Sequence, residues 1–204
     1  MTGTSAGYVA SMARPLRIIE PGETYHVFSR GSNRLRIFFD DRDFNEFLVQ
    51  LGRIVGKYRW RLNAYCLIPN HYHLLASPSE SGLSNGMREL NGGFSRRTSL
   101  KYGRIAHLFR NRFGHKWIEN EEQFVQVARY VVLNPVEAGI CGHPSQWRWS
   151  SYRATIGVER APEWLDVAGL LAHFEMFNPA DSCVGYRRFV ENSLLMVSDT
   201  VTEL

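Results

Sequence analysis

The 204-residue sequence has no apolar run that approaches a membrane span. A helix needs about 20 such residues to cross a bilayer, and stretches such as Tyr65–Pro69 are a fraction of that. It has three cysteines, Cys66, Cys141 and Cys183, far apart and odd in number. That excludes a disulfide framework or a CxxC pair and leaves ordinary buried or half-buried thiols. No phosphate-cradling glycine loop is present, because Gly92-Gly93 lacks the rest of a P-loop; no nucleoside cofactor is implied. Residues 1–11, MTGTSAGYVAS, have neither the charged start nor the apolar stretch of a secretory signal. They read as a disordered extension, and a cytoplasmic protein is the expectation.

Acidic residues are scarce in one part of the chain and abundant in another. Residues 1–116 carry 18 Lys/Arg against 8 Asp/Glu, and residues 117–204 carry 6 against 12. Between Arg88 and Lys116, Glu89 alone opposes Arg88, Arg96, Arg97, Lys101, Arg104, Arg110, Arg112 and Lys116. Such a block attracts phosphate and gains from counterion release, although it also suits a solvated basic face. Tyr102, His107, Phe109, Phe113 and Trp117 lie among these charges, a mixture suited to single-stranded nucleic acid.

Hydrophobic content of 44% indicates a globular chain. Thr24–Ser29 alternates with period two and reads as a strand. Asp40 to Asp43 opens an amphipathic helix reaching Tyr58. Arg61–Ile68 and His71–Ser77 read as hairpin strands about a Pro69-Asn70 turn. Leu83, Met87, Leu90 and Phe94 mark a second helix, weakened by Gly92-Gly93. Gly103–Gly114 reads as a loop or short strand, and Glu119–Asn134 as a third helix that Pro135 ends. Shorter helical patterns follow at Leu165–Phe174 and Tyr186–Leu195. The order predicts an α+β fold, a ferredoxin-like (RRM-like) antiparallel sheet with helices packed on it. The domain reading is an extension at 1–11, a main domain at 12–157 and a C-terminal helical appendage at 158–204.

Two constellations can carry chemistry. His71 and His73 are two apart on a strand and share a face, about 7 Å apart at the backbone. They can converge on one divalent metal, or be two histidines on a half-exposed strand. Tyr130 and Asn134 are four apart on a helix and share a face. A phenol can attack a phosphodiester, and an amide oxygen is a hard ligand for Mg²⁺ or Mn²⁺. Equally, Tyr130 fits a core aromatic and Asn134 a helix-end residue. His26, on the first strand, is open between a neighbour of such a site and an ordinary strand histidine. Arg30, Arg34 and Arg36 favour phosphate contact. Trp147, Trp149 and Tyr152 favour a structural aromatic cluster over base stacking.

Dispersed motifs then coincide: MARPLRI at Met12–Ile18, YHVFSRGSNR at Tyr25–Arg34, AYCLIPNHYHLL at Ala64–Leu75, LFRNRF at Leu108–Phe113, and RYVVLNPVEAGI at Arg129–Ile140. In this order they resemble the HUH single-tyrosine transposases of small bacterial insertion sequences, in particular their REP-associated branch. The resemblance spans about residues 12–157. It implies that the HxH strand lies against the tyrosine helix. It also implies that His71, His73 and Asn134 hold a divalent metal, Mg or Mn, and that Tyr130 cuts single-stranded DNA beside a palindromic hairpin. A 5′-phosphotyrosine and a free 3′-hydroxyl would result. The expected DNA contacts are Arg14, Arg17, Arg30, Arg34, Arg96, Arg97, Lys101, Arg110 and Arg112, on a monomer or homodimer. Glu137 stands where many relatives carry a basic residue. The rival readings are a domesticated hairpin binder without chemistry and a phosphohydrolase that uses water.

Overall fold

Alternation along two strands decides which layer each residue joins. On β1 (Tyr25–Arg30), Tyr25 and Val27 turn to one side and His26, Phe28 and Arg30 to the other. On β3 (His71–Pro78), Tyr72, Leu74 and Ala76 join the first side, while Leu75 joins the second. The computed structural model describes residues 19–79, 82–103, 107–175 and 182–201. The reading of residues 1–11, the Met12–Ile18 motif and the expected contacts Arg14 and Arg17 lie outside the described residues, as does Arg104.

The remaining main elements are α1 (Asp41–Lys57), β2 (Trp60–Ile68), α2 (Leu83–Tyr102), β4 (Gly114–Trp117) and α3 (Glu121–Glu137). The strands form an antiparallel sheet in the order β2-β3-β1-β4. Each strand–helix–strand unit skips one place in that sheet, which is the ferredoxin-like topology expected. Asp40 caps α1 by accepting a bond from the Asp43 amide at 3.0 Å. The apolar stripe Phe44, Phe47, Leu51, Ile54 then packs with α2 on one face of the sheet, against Val27, Leu62, Leu67, Tyr72 and Leu74. The other face belongs to α3. There Phe124, Ala128, Val131 and Val132 meet Ala64, Cys66, Ile68 and Leu75.

Two short helices, α4 (Tyr152–Thr155) and α5 (Val167–Leu171), and one long one, α6 (Ser182–Val201), follow. Tyr152, Leu170, Leu171, Phe174, Tyr186 and Val190 extend the second core. Trp149 is buried and stacks on Phe44 at 4.8 Å between ring centroids. Trp147 donates its indole N–H to the Leu67 carbonyl at 2.8 Å. These aromatics build the core and cover the outer edge of β2, so the structural alternative holds for them.

Two helices outrun their expected ends. The second passes straight through Gly92-Gly93. A side chain at Gly93 would collide with Gln50 of α1, whose amide donates to the carbonyls of Glu89 and Leu90 at 3.1 and 3.2 Å. The glycine that seemed to weaken the helix instead admits the neighbouring one, and α2 runs beyond Phe94 to Tyr102. The third continues past Pro135 to Glu137. Proline removes one donor, but the last turn closes by other bonds, Gly139 N–H to Val136 O and Ile140 N–H to Pro135 O, each 2.9 Å. With Gly139 at φ +66° this is a Schellman stop.

Candidate active site

His71 and His73 project from β3 on the α3 side, as the period-two reading requires, and their ring centroids are 5.0 Å apart. Hydrogen bonds fix how each ring is presented. The Asn70 amide donates to the Arg34 carbonyl at 3.2 Å, which orients its Oδ1 toward His71 Nδ1, 2.6 Å away. That oxygen only accepts, so His71 carries its proton on Nδ1 and presents a bare Nε2. His73 Nδ1 lies 2.8 Å from His26 Nε2 across the β1–β3 pair. His73 Nε2 is buried and has no hydrogen-bond partner.

Tyr130 reaches the same place from α3. Its ring meets the rings of His73 and His26 edge-on, at 5.4 and 5.6 Å between centroids. It is 39% exposed, enough for a large substrate to reach the phenol. One turn on, Asn134 is buried, its Oδ1 accepts no hydrogen bond, and its side chain lies within hydrogen-bonding reach of both His71 and Tyr130. The structure therefore gathers the four residues of the sequence reading, Tyr130, His71, His73 and Asn134.

All three histidines are held neutral. Burial, then Lys116, pushes His26 down to about 4; burial, then Arg30, pushes His71 down to about 4. His73 lies well below its usual value, mainly through burial. A neutral imidazole has a lone pair to give a metal. The phenol of Tyr130 is raised above its ordinary value by burial and by Glu137, and Arg30 and Asn134 oppose this. Two buried acceptors without partners, His73 Nε2 and Asn134 Oδ1, beside a neutral His71, are the donor set a divalent ion of borderline hardness accepts. Among the described residues no group of three His, Cys, Asp or Glu side chains has metal-holding geometry. Any such site here therefore depends on the asparagine.

The basic residues divide. Arg30 pairs with His71 across the sheet and acts electrostatically on His71, His73 and Tyr130. Arg34 follows in the next turn, and the Arg110 amide is bonded to the Arg30 carbonyl at 2.9 Å, so Arg110 lies beside this end of the sheet with Arg112 close by in sequence. Arg96, Arg97 and Lys101 sit on α2, in the opposite layer. Lys101 is ion-paired with Asp40 and Asp43 at 2.9 and 2.8 Å, and Arg97 donates to Gln50. Lys116 was part of the basic block but not among the expected contacts. It stands opposite His26 on the face of the histidines. Only cross-strand register shows this, and that is invisible in one strand's sequence. A cavity of about 310 Å³ opens at the Thr24–Ser77 end of the sheet, away from His71 and Arg30.

Comparison with known proteins bears on the fold and the family. A Haemophilus influenzae protein described as a REP-associated tyrosine transposase is 25% identical over 131 residues, 58% of this chain and 74% of the relative. The fold matches that of a REP-associated tyrosine transposase solved bound to a REP hairpin. The TM-score is 0.62 at 17% identity, over 76% of this chain and 94% of that one. The family model described as "Transposase IS200 like" matches residues 22–134, more than half the chain, from just before β1 to Asn134 itself. The chain belongs to the IS200-like transposase family.

Proposed function

We propose that this chain is a metal-dependent, single-tyrosine endonuclease and strand transferase that acts on single-stranded DNA beside palindromic hairpins. The observation that carries the reading is the convergence of Tyr130 with two buried, unpartnered acceptors, His73 Nε2 and Asn134 Oδ1. The relative solved with a REP hairpin supports the choice of DNA.

His71, His73 and Asn134 would hold the metal. Once bound, a divalent ion such as Mg²⁺ or Mn²⁺ supplies a Lewis acid that polarises the scissile phosphate. The Tyr130 oxygen attacks phosphorus, a Tyr–O–P bond forms and the P–O3′ bond breaks. The phenolic proton leaves to water and the departing 3′-oxygen gains one. Arg30, poised over the site, offsets charge on the phosphate; Arg34, Arg110 and Arg112 extend the contact. The phosphotyrosine conserves the bond energy, so a 3′-hydroxyl can reverse the attack and rejoin strands without ATP. Direct hydrolysis conserves nothing.

The test is 3′-labelled single-stranded hairpin DNA incubated with wild type and Tyr130→Phe, then resolved on denaturing gels. The expected result is a labelled protein band in wild type that vanishes in the variant, with hairpin binding retained. Cleavage without an adduct would indicate water as nucleophile, and binding without cleavage by wild type would indicate a hairpin binder. An adduct mapped to Tyr102 or Tyr152 would displace Tyr130.

A further inference from the structure

His26 is a buried titratable group beside the site that the reaction above does not use. It is 7% exposed, on the β1 strand, directly beside the histidine pair. Its Nε2 lies 2.8 Å from His73 Nδ1 and the two rings stack at 4.9 Å. Between two neutral imidazoles that contact has one proton, and two arrangements are open. If His26 Nε2 carries it, then His73 must carry its own on Nε2. That would put an unbonded N–H in a buried position and aim it where a ligand lone pair is needed. If His73 Nδ1 carries it, His26 accepts, and His73 Nε2 is a bare lone pair in the site. An orphaned buried N–H is rarer in folded proteins than an unpaired acceptor, so the second arrangement is favoured in the metal-free chain and more so once a cation is bound.

We propose that His26 is a positioning residue that holds His73 in the tautomer protonated on Nδ1, so that its Nε2 faces the site as a donor. Asn70 does the same for His71 through its own Nδ1 bond. The two histidines are thus presented identically, one by the hairpin turn and the other by the neighbouring strand. Register makes this possible. Phe28, not His26, is the Cα partner of His73, and His26 reaches it diagonally on the same face. On that face Gly114 leaves room for the Phe28 ring, since a side chain there would collide with it, and Phe28 packs against both His26 and His73. The benefit to metal binding rests on the proposed function; the tautomer itself does not.

The experiment is two-bond ¹H–¹⁵N correlation on the ¹⁵N-labelled, metal-free full chain, which reports which ring nitrogen of each histidine is protonated. Mn²⁺ titration of the same samples follows. Wild type is expected to show His73 protonated on Nδ1. His26→Leu, which cannot accept, should lose that single pattern. It should also bind Mn²⁺ about 10- to 100-fold more weakly, the usual cost of losing the partner of a metal-bound imidazole. His26→Gln, whose amide oxygen accepts, should restore both the pattern and most of the affinity. His73 protonated on Nε2 in wild type overturns the inference, even if His26→Leu fails to fold. So does an unchanged His73 pattern in a folded His26→Leu. A wild type with the expected tautomer, lost in His26→Leu, but no Mn²⁺ binding would uphold the positioning role and fault the metal reading instead.

Discussion

The two faces of one sheet are built from alternate residues of the same strands, and they do opposite work. Tyr72 and His73 are neighbours on β3. Tyr72 points toward α1 and α2, fully buried, with its hydroxyl given to Asn91 Oδ1 at 2.6 Å. His73 points toward α3, and its Nε2 has no partner. On the first face aromatic rings fill the space, and among the described residues the one buried side-chain polar atom left without a partner is a donor, the Trp60 indole N–H. On the second, beside Tyr130, acceptors are left open. Buried polar groups in folded proteins are nearly always paired, so unpaired acceptors grouped on one face mark where a ligand belongs.

The sharpest way to break the comparison is to remove one oxygen from each face. Tyr130→Phe should lower cleavage by roughly 10³-fold or more while leaving the urea midpoint unchanged. Tyr72→Phe should do the reverse. It leaves Asn91 Oδ1 without its donor, costs about 1–2 kcal/mol in urea unfolding, and leaves cleavage near wild type. If Tyr72→Phe abolished cleavage at full stability, the faces would not be functionally distinct. The histidines come next. His71→Ala or His73→Ala should eliminate Mn²⁺-dependent cleavage in a folded protein, and wild-type rates at limiting metal would refute the ligand assignment.

Charge offers a third contrast, now between the two halves of the basic block. Alanine at Arg30, Arg110 and Arg112 together should flatten the slope of log affinity against log salt by about two units, at roughly 0.7 per contact on single strands. Lys101→Ala should leave the slope unchanged, because Asp40 and Asp43 already neutralise it. Equal slopes in wild type and the triple variant would move the DNA surface to α2.

Smaller effects follow from the buried imidazoles. His26 and His71 titrate near 4 when folded, against about 6.5 unfolded. Above pH 6.5 both states are neutral and the stability is fully present. As the pH falls toward 4 the unfolded chain binds protons first, and stability is lost. The melting temperature of the metal-free chain should therefore drop by about 10 °C between pH 7 and pH 5, measured by calorimetry. His26→Gln should reduce that drop. Least of all, Glu137→Gln should raise the cleavage rate at neutral pH by about 2- to 3-fold, since Glu137 helps hold the Tyr130 phenol up. A lower rate would give the carboxylate a positive role.

What could be read from the sequence was local periodicity. Spacing of two put His71 and His73 on one face, spacing of four did the same for Tyr130 and Asn134, and the order of elements gave the sheet. What could not be read was set by partners far away in the chain. Gly93 looked like a weak point in its helix because Gln50, which fills its space, is 43 positions earlier. Pro135 looked like a stop because the bonds that close the turn without it run from Gly139 and Ile140. Lys101 looked free because its carboxylate partners belong to α1 and its cap. His26 could be placed at the site only once the register of β1 on β3 was known.

Beneath Tyr130, α3 is anchored by Ala128, Val131 and Val132, none of which has any exposed surface. Lifting the helix would return that apolar area to water, at about 1.5–3 kcal/mol for each valine. The cheap motion left to the Tyr130 phenol is rotation about its own two side-chain torsions. Tyr130 is thus a fixed post rather than an arm. In the strand transfer proposed above, the nucleic acid would therefore have to do the travelling.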